Sequence, residues 1–323
     1  MHIRDGVVVD RRQPAPVSPV QHDRCDVCQR GDLLAFRGER EIALDRTSAR
    51  HGLDDVVLAD ATEVTRCDSC GSLFRDPRLL VDLERVYASW HYDFARVERL
   101  RTHQVADLRR EEPRLTRFGL RPGARLVEIG SYVGALLDVA TDAGCQIVGV
   151  DVNPELVRLA RGRGHDVRRG SLDRLDGLPD QNDGVWILNC FEQLSDLDGV
   201  LCRAHSLLRH GGHLVIRTPN ATFVSALHRP HQPARLSSTL DANAVLGVPF
   251  RRCLSARGIT QLLHDHRFRV EEIRGREFTS RTPAGSTGAW GALRPLRGLA
   301  YGLASTVTGE PMHPWLEILA ASE

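Results

Sequence analysis

The chain has 323 residues, a formal net charge of +1 and 41% hydrophobic residues, enough apolar mass for one large domain or two unequal ones. Every basic residue is arginine, and the first 120 residues set 20 arginines against 21 acidic residues, so no basic face for nucleic acid is implied there. No stretch approaches the roughly 18 apolar residues that span a bilayer, and the start lacks the apolar core of a signal peptide, so a cytoplasmic location and no membrane partner are expected.

Residues 1–20 are rich in arginine and proline and read as a poorly ordered N-terminus. Residues 21–78 read as a small β unit around two C-x-x-C knuckles, Cys25-Asp-Val-Cys28 and Cys67-Asp-Ser-Cys70. Each knuckle can bring two thiolates to one tetrahedral ion at about 2.3 Å. Together they predict a zinc ribbon whose four-thiolate site is closed, hence structural: no open position is left to activate water. Cys145, Cys190, Cys202 and Cys253 fall inside apolar segments and read as small core residues, with Cys190 set apart by its place after a strand. Residues 79–120 carry helical spacing (Leu83, Val86, Tyr87, then Val97, Leu100, Val105, Leu108) and read as one or two linker or lid helices.

From residue 121 the pattern alternates strand and helix. The first strand is Arg125–Ile129, followed by a helix over Val133–Ala143 and a second strand over Gln146–Asp151. Asn153-Pro154-Glu155 opens the next helix, with Asn as N-cap and Pro at the first helical position. A short strand near His165–Arg168 and a fully apolar strand over Gly184–Asn189 follow, the latter covered on both faces. Ser195 or Asp196 caps a helix that stops at Gly211-Gly212, and His213–Thr218 is the fifth strand. Residues 220–254 read as an insertion. Ser255 caps a helix through His264, Phe268–Ile273 is a strand, an apolar helix covers Trp290–Ser305, and Trp315–Ala320 ends the sheet as an antiparallel strand.

The turn after the first strand selects the ligand. A dinucleotide fold needs G-x-G-x-x-G so that the backbone can touch a pyrophosphate. Here the turn is Gly130-Ser-Tyr-Val-Gly134, with Tyr132 where the pyrophosphate needs room and Glu128 two residues ahead of the first glycine. That pattern suits a phosphate-free nucleoside, S-adenosyl-L-methionine (SAM), with Asp151 accepting both ribose hydroxyls.

At this point the chain resembles the class I SAM-dependent methyltransferases. The order zinc ribbon, Cys67-Asp-Ser-Cys-Gly-Ser-Leu-Phe-Arg-Asp-Pro77, tyrosine-bearing helix, SAM domain is similar to bacterial sugar, polysaccharide and natural-product methyltransferases, including the sugar C-methyltransferases. The resemblance implies an α/β fold: a Rossmann-like seven-stranded sheet behind a small zinc-ribbon β unit and a helical linker. It implies two cofactors, SAM and a structural Zn2+. Carried over by position, Glu128, Gly130, Ser131 and Gly134 wrap the methionine part, with Tyr132 in the same cofactor-binding turn. Asp151 holds the ribose, Val152 and Asn153 flank the adenine, and Ser171 and Leu172 line it. Asn189, Cys190 and Phe191 floor the sulfonium. Cys25, Cys28, Cys67 and Cys70 hold the metal, and Tyr87 and Tyr92 close over the cofactor.

Two departures bear on catalysis. Where the family often has Glu-His after the fourth strand, this chain has Glu192-Gln193, and a second common histidine position is Phe250. Neither Gln nor Phe can take a proton at neutral pH. Methyl transfer is an in-line displacement at an activated carbon, so alignment supplies most of the rate, and a base matters only when the acceptor must lose a proton. The candidates are His91 and Tyr92 in Trp90-His-Tyr-Asp-Phe94, then His228 and His231, with Glu192 read as orienting a neighbour. The partner expected is a small-molecule substrate. The competing readings are an RNA methyltransferase, disfavoured by the balanced charge, and a non-catalytic SAM-binding protein.

Overall fold

The computed structural model describes residues 25–37, 64–75, 83–227, 251–277 and 294–323. The expectations for residues 1–20, for His228, His231 and Phe250, and for the start of the apolar helix at Trp290 lie outside the described residues.

Seven strands form one mixed sheet: β4 (Arg125–Ile129), β5 (Gln146–Asp151), β6 (Asp166–Arg169), β7 (Asn182–Leu188), β8 (Leu208–Pro219), β10 (Phe268–Arg276) and β11 (Trp315–Ser322). Their order across the sheet is β10-β11-β8-β7-β4-β5-β6. β4 to β8 run parallel, and β11 slots antiparallel between β8 and β10, the ending expected from sequence. The crossover helices are α3 (Ala135–Asp142), α4 (Pro154–Gly162), α5 (Leu197–Leu207) and α7 (Ala256–Asp265), with the short α6 (Ala221–Leu227) following β8. The apolar run of β7 is divided between two cores: Val185 and Ile187 face α5 and α7, while Trp186 faces α2 (Phe94–Leu115) and α3. Period-two side-chain alternation inside a continuous apolar strand requires this, since both faces must be covered.

The linker is two helices, α1 (Leu83–Ser89) and α2, broken at Trp90–Asp93, where Asp93 caps α2 by accepting from the Ala95 and Arg96 amides. Buried ion pairs moor α2 to the antiparallel end of the sheet: Arg114 and Arg217 meet Glu317, and Arg276 meets Glu111. Each buried charge there has an opposite partner, the condition for tolerating it.

Several boundaries differ from the sequence reading. The helix after the glycine turn begins at Ala135, because Gly134 sits in the left-handed region at φ 77° and acts as its cap. α5 stops at Leu207, not at the glycine pair, because the Asn182 side chain donates to the Leu207 carbonyl and Leu208 already pairs with Asn182 as strand. Cys202 is exposed, correcting its placement in the core: it lies on the face of α5 opposite Leu197, Val200, Leu201 and Ala204. The apolar C-terminal helix, α8, covers Arg294–Thr308.

The cysteine unit is a second sheet, β1 (Leu33–Arg37), β2 (Val64–Cys67) and β3 (Leu73–Arg75), and its outer strand comes from far along the chain: β9 (Arg252–Cys253) pairs antiparallel with β3. The unit is therefore joined to the large sheet by its own hydrogen-bonded strand. No helix among the described residues is long and apolar enough to cross a membrane.

Candidate active site

The candidate site is the carboxyl edge of β4, β5 and β7, the place where open α/β sheets bind ligands. The amides of Gly130 and Ser131 both donate to the Val150 carbonyl, at 2.8 and 3.0 Å, which locks the glycine turn onto β5. Gly130 is held at φ 71°, and a Cβ there would lie 2.7 Å from the Cys190 Sγ, so both conformation and space call for glycine. Tyr132 is left-handed too, at φ 45°, a cost of roughly 1–2 kcal/mol for a side chain of its kind. Its ring packs edge-on against Tyr92 at 5.9 Å, so the turn is roofed by aromatic side chains from the linker. Gly134 closes the turn and Ser131 is buried against Gly149.

Asp151 is 9% exposed and turned inward. Its Oδ1 accepts from the Asn153 amide at 2.9 Å and its Oδ2 from the Tyr132 amide at 2.8 Å. One lone pair on each oxygen remains for a ligand. Burial raises its pKa, and the Asn153, Tyr132 and Val152 amides oppose that rise. Glu128, behind the turn, is buried, and its Oε2 has no hydrogen-bond partner among the described residues. Burial, then the charges of Asp151 and Asp138, push its pKa well up. A buried carboxyl oxygen without a donor is costly unless a ligand supplies one.

Asn153 corrects the sequence reading. Its side chain is saturated: Oδ1 accepts from the Glu155 and Leu156 amides, and Nδ2 donates to the carbonyls of Tyr87 and Trp90 at 2.7 and 2.8 Å. It clamps the α1–α2 linker to the start of α4 and has nothing left for an adenine. Leu172 and Phe191 are fully buried, packed in the core beneath the cleft. Ser171 stands at the end of β6, where the adjacent Gly170 amide donates to the Asp151 carbonyl. Val152 is half-buried just beyond Asp151.

At the end of β7, Asn189 is left-handed at φ 60°, its amide donating to the Arg217 carbonyl at 2.9 Å. The Cys190 Sγ donates to the Ile129 carbonyl at 3.3 Å, and burial drives its pKa far up, so it stays a neutral thiol. Glu192 is 1% exposed. Its Oε1 accepts from Gln193 Nε2 at 3.0 Å, while its Oε2 has no partner among the described residues. Burial pushes its pKa up to about 7, against smaller lowering effects from its own backbone, Gln193 and Thr218. The Thr218 hydroxyl lies close by but outside hydrogen-bonding geometry. Tyr87 is near enough that the Glu192 charge helps burial raise its phenol. Glu192 is thus a buried carboxylate poised to exchange a proton near neutral pH. His91 is not at this position. Its side chain is 89% exposed, and its Nδ1 lies 2.7 Å from Glu155 Oε1 on the outer rim. The Tyr92 amide donates to the other oxygen of Glu155, so His91 and Glu155 fasten the linker. The Tyr92 phenol is raised by burial first and lies in the field of Tyr132 and Asp151.

The four knuckle cysteines converge, all buried, with their sulfur atoms within 4.8 Å of one another. The Cys25–Cys70 and Cys28–Cys67 separations are 3.8 and 3.7 Å. A tetrahedron with bonds of about 2.3 Å has edges of about 3.8 Å, so the cage already has the size of a zinc site. The Cys70 amide donates to the Cys67 Sγ at 3.3 Å, and a Cβ on Gly31 would lie 2.4 Å from the same sulfur. Sequence reasoning missed Thr218, and it missed Arg252, which joins the cysteine unit to the turn after Glu192. Nothing local in the sequence marks either one.

A family model described as a methyltransferase domain matches residues 74–273. The chain is 26% identical over 103 residues to a demethylmenaquinone methyltransferase of Tropheryma whipplei, covering 31% of this chain and 43% of that protein. It is 32% identical over 108 residues to a ubiquinone biosynthesis O-methyltransferase of Xanthomonas campestris, covering 31% and 45%. The matched region thus spans less than half the length of these curated relatives. Among solved structures it is similar to the complex between the Haloferax volcanii Trm112 methyltransferase activator and a putative methyltransferase, with a TM-score of 0.50, 16% identity and coverage of 75% of this chain and 99% of that one. At that identity the likeness concerns the fold alone.

Proposed function

The chain belongs to the methyltransferase-domain family, and from that premise we propose that it transfers a methyl group from SAM to a small-molecule acceptor, a sugar or natural-product intermediate, and that Cys25, Cys28, Cys67 and Cys70 hold a structural zinc ion. The observation that carries the reading is the pair of buried carboxylates flanking the glycine turn. Asp151 offers one free lone pair on each oxygen, the pattern a ribose diol needs, and Glu128 offers an orphaned oxygen to an ammonium N–H. Each charge-assisted bond of this kind is worth about 1.5–3 kcal/mol. The tyrosine-roofed turn leaves no glycine where a pyrophosphate would lie, which favours SAM over a dinucleotide.

When bound, SAM supplies a methyl carbon activated by positive sulfur. The residues of this chain do the rest. Tyr87, Tyr92 and Tyr132 exclude water above the turn. Gly130 and the left-handed Asn189 bring the backbone close on either side. Glu192 receives the proton that the acceptor loses as its lone pair takes the methyl group, and the electron pair of the broken bond returns to sulfur. A carboxylate with a pKa near 7 is mostly ionised at pH 8 and still basic enough to accept that proton. The eight free cysteines and the thiolate cage fit a reducing, cytoplasmic compartment.

The curated relatives are named for quinone biosynthesis, but they match only about a third of this chain. They support methyl transfer more than any acceptor. The test is a screen with methyl-labelled SAM against sugar nucleotides, quinone precursors and bulk RNA. Label in a small molecule supports the proposal, and label confined to RNA overturns its acceptor class.

A further inference from the structure

Among the links between the cysteine unit and the large sheet, one side chain reaches both the first knuckle and the turn after Glu192. Arg252 sits on β9, where its backbone pairs with Phe74 of β3. Its Nε donates to Asp26 Oδ2 at 2.8 Å, inside the first knuckle between Cys25 and Cys28. Its Nη1 donates to the Leu194 carbonyl at 3.1 Å, immediately after the one-turn 3-10 helix Phe191–Gln193. The neighbouring Arg251 amide donates to the Glu192 carbonyl at 2.9 Å. Three residues after Arg252, the Ser255 Oγ donates to the Cys70 carbonyl at 2.5 Å, and its amide donates to the Ser72 Oγ. So residues 251–255 are tied to both cysteine knuckles and to the turn that carries Glu192. The turn has little of its own to hold it: one helical turn, with the Gln193 amide reaching Cys190 at 3.0 Å and the Leu194 amide reaching Phe191 at 3.4 Å.

We propose that Arg252 is a positioning residue that couples the cysteine unit to the Glu192 turn, so that the four-cysteine cluster fixes where the proton-accepting carboxylate stands. The proposal rests on the reading of Glu192 as proton acceptor. Geometry favours it over a merely adhesive role: the planar guanidinium grips an acid on one side and a carbonyl on the other, a fork that only arginine supplies. The acid belongs to the metal knuckle and the carbonyl to the catalytic turn. The groups around the Glu192 carboxyl are Gln193 from its own turn, Thr218 from β8, Tyr87 from α1 and the Cys190 thiol. Among the described residues none of these groups is a cation, and the largest influence on its proton affinity is exclusion of water, which depends on the turn staying closed.

The test needs no acceptor. The Glu192 carboxyl is titrated by 13C NMR in the full chain with labelled glutamate, its signal assigned through Glu192→Gln. Backbone hydrogen exchange is read over Phe191–Leu194, and SAM affinity is measured in parallel. In Arg252→Ala the Glu192 titration should fall from about 7 toward the ordinary 4.5 as water enters. Exchange at Gln193 and Leu194 should rise at least tenfold, with SAM affinity changed less than about threefold. Arg252→Lys, which keeps the charge but cannot reach both partners, should give a partial shift. Should Arg252→Ala fail to fold, Asp26→Asn removes one arm of the fork and should move the titration in the same direction by less. An unmoved titration and unmoved exchange in either foldable variant overturn the proposal. Failure of wild type to bind SAM would instead overturn the methyltransferase reading, with the coupling still measurable.

Discussion

Replacing Glu192 by glutamine should make the protein more stable and less active at the same pH. The acid is 1% exposed and its pKa is pushed from the ordinary 4.5 to about 7. Below pH 4.5 folded and unfolded chains both hold the proton, and this group contributes no pH dependence. Between about 4.5 and 7 the unfolded chain has released the proton and the native state has kept it, so stability falls as pH rises. Above 7 the full cost is present. At about 1.4 kcal/mol per pH unit, a window of this width corresponds to about 3 kcal/mol. Glutamine removes the ionisation, and its amide can donate to the Thr218 hydroxyl, which has no partner among the described residues. Urea denaturation at pH 4 and pH 8 should therefore give a mutant–wild-type difference that grows by about 3 kcal/mol in favour of the mutant at pH 8. In a turnover assay at pH 8 the mutant should lose roughly 10²- to 10⁴-fold in rate, the range for a lost general base. A stability difference independent of pH, or a mutant that turns over as fast as wild type, would refute the reasoning.

Three further outcomes follow from the same geometry. Gly130→Ala puts a Cβ 2.7 Å from the Cys190 sulfur at φ 71°, and should cost about 2–4 kcal/mol by thermal melts. Cys190→Ala in that background should recover only the steric part. Asn153→Ala removes a helix cap and both ties to the linker. It should cost about 2–4 kcal/mol and raise hydrogen exchange across Tyr87–Asp93 before any other segment. Metal analysis should return one zinc per chain, lost in Cys70→Ser, and chelation should lower the melting temperature without abolishing SAM binding. Full stability after the metal is stripped would count against a structural zinc.

The sheet was legible because its code is local. Apolar runs at Leu126–Ile129 and Val185–Leu188 bounded by Gly130 and Asn189 read as strands, and Asn153-Pro154 read as a helix start. Asp151 could be placed by counting from the glycine turn. The cysteine cage was legible for the same reason, since C-x-x-C is a local geometry repeated twice. What could not be read depends on contacts distant in sequence. The cap role of Asn153 was visible, but its second role, holding the Tyr87 and Trp90 carbonyls, depends on a chain segment more than sixty residues away. His91 looked like a base by residue type, and only its partner Glu155 reveals that it faces outward. Glu192 looked like an orienting residue because its burial is set by β8, α1 and β9 together. The bridge from Asp26 to Arg252 spans 226 residues and has no local signature.

The central claim is that SAM lies across the carboxyl edge of β4 and β5 with its ribose held by Asp151. Titration calorimetry of the full chain against SAM, S-adenosylhomocysteine and NAD, repeated with Asp151→Ala, addresses it directly. The account expects SAM and S-adenosylhomocysteine to bind, NAD not to bind, and the variant to lose at least tenfold in affinity while remaining folded. Binding of NAD alone, or a folded Asp151→Ala that binds SAM like wild type, would contradict it.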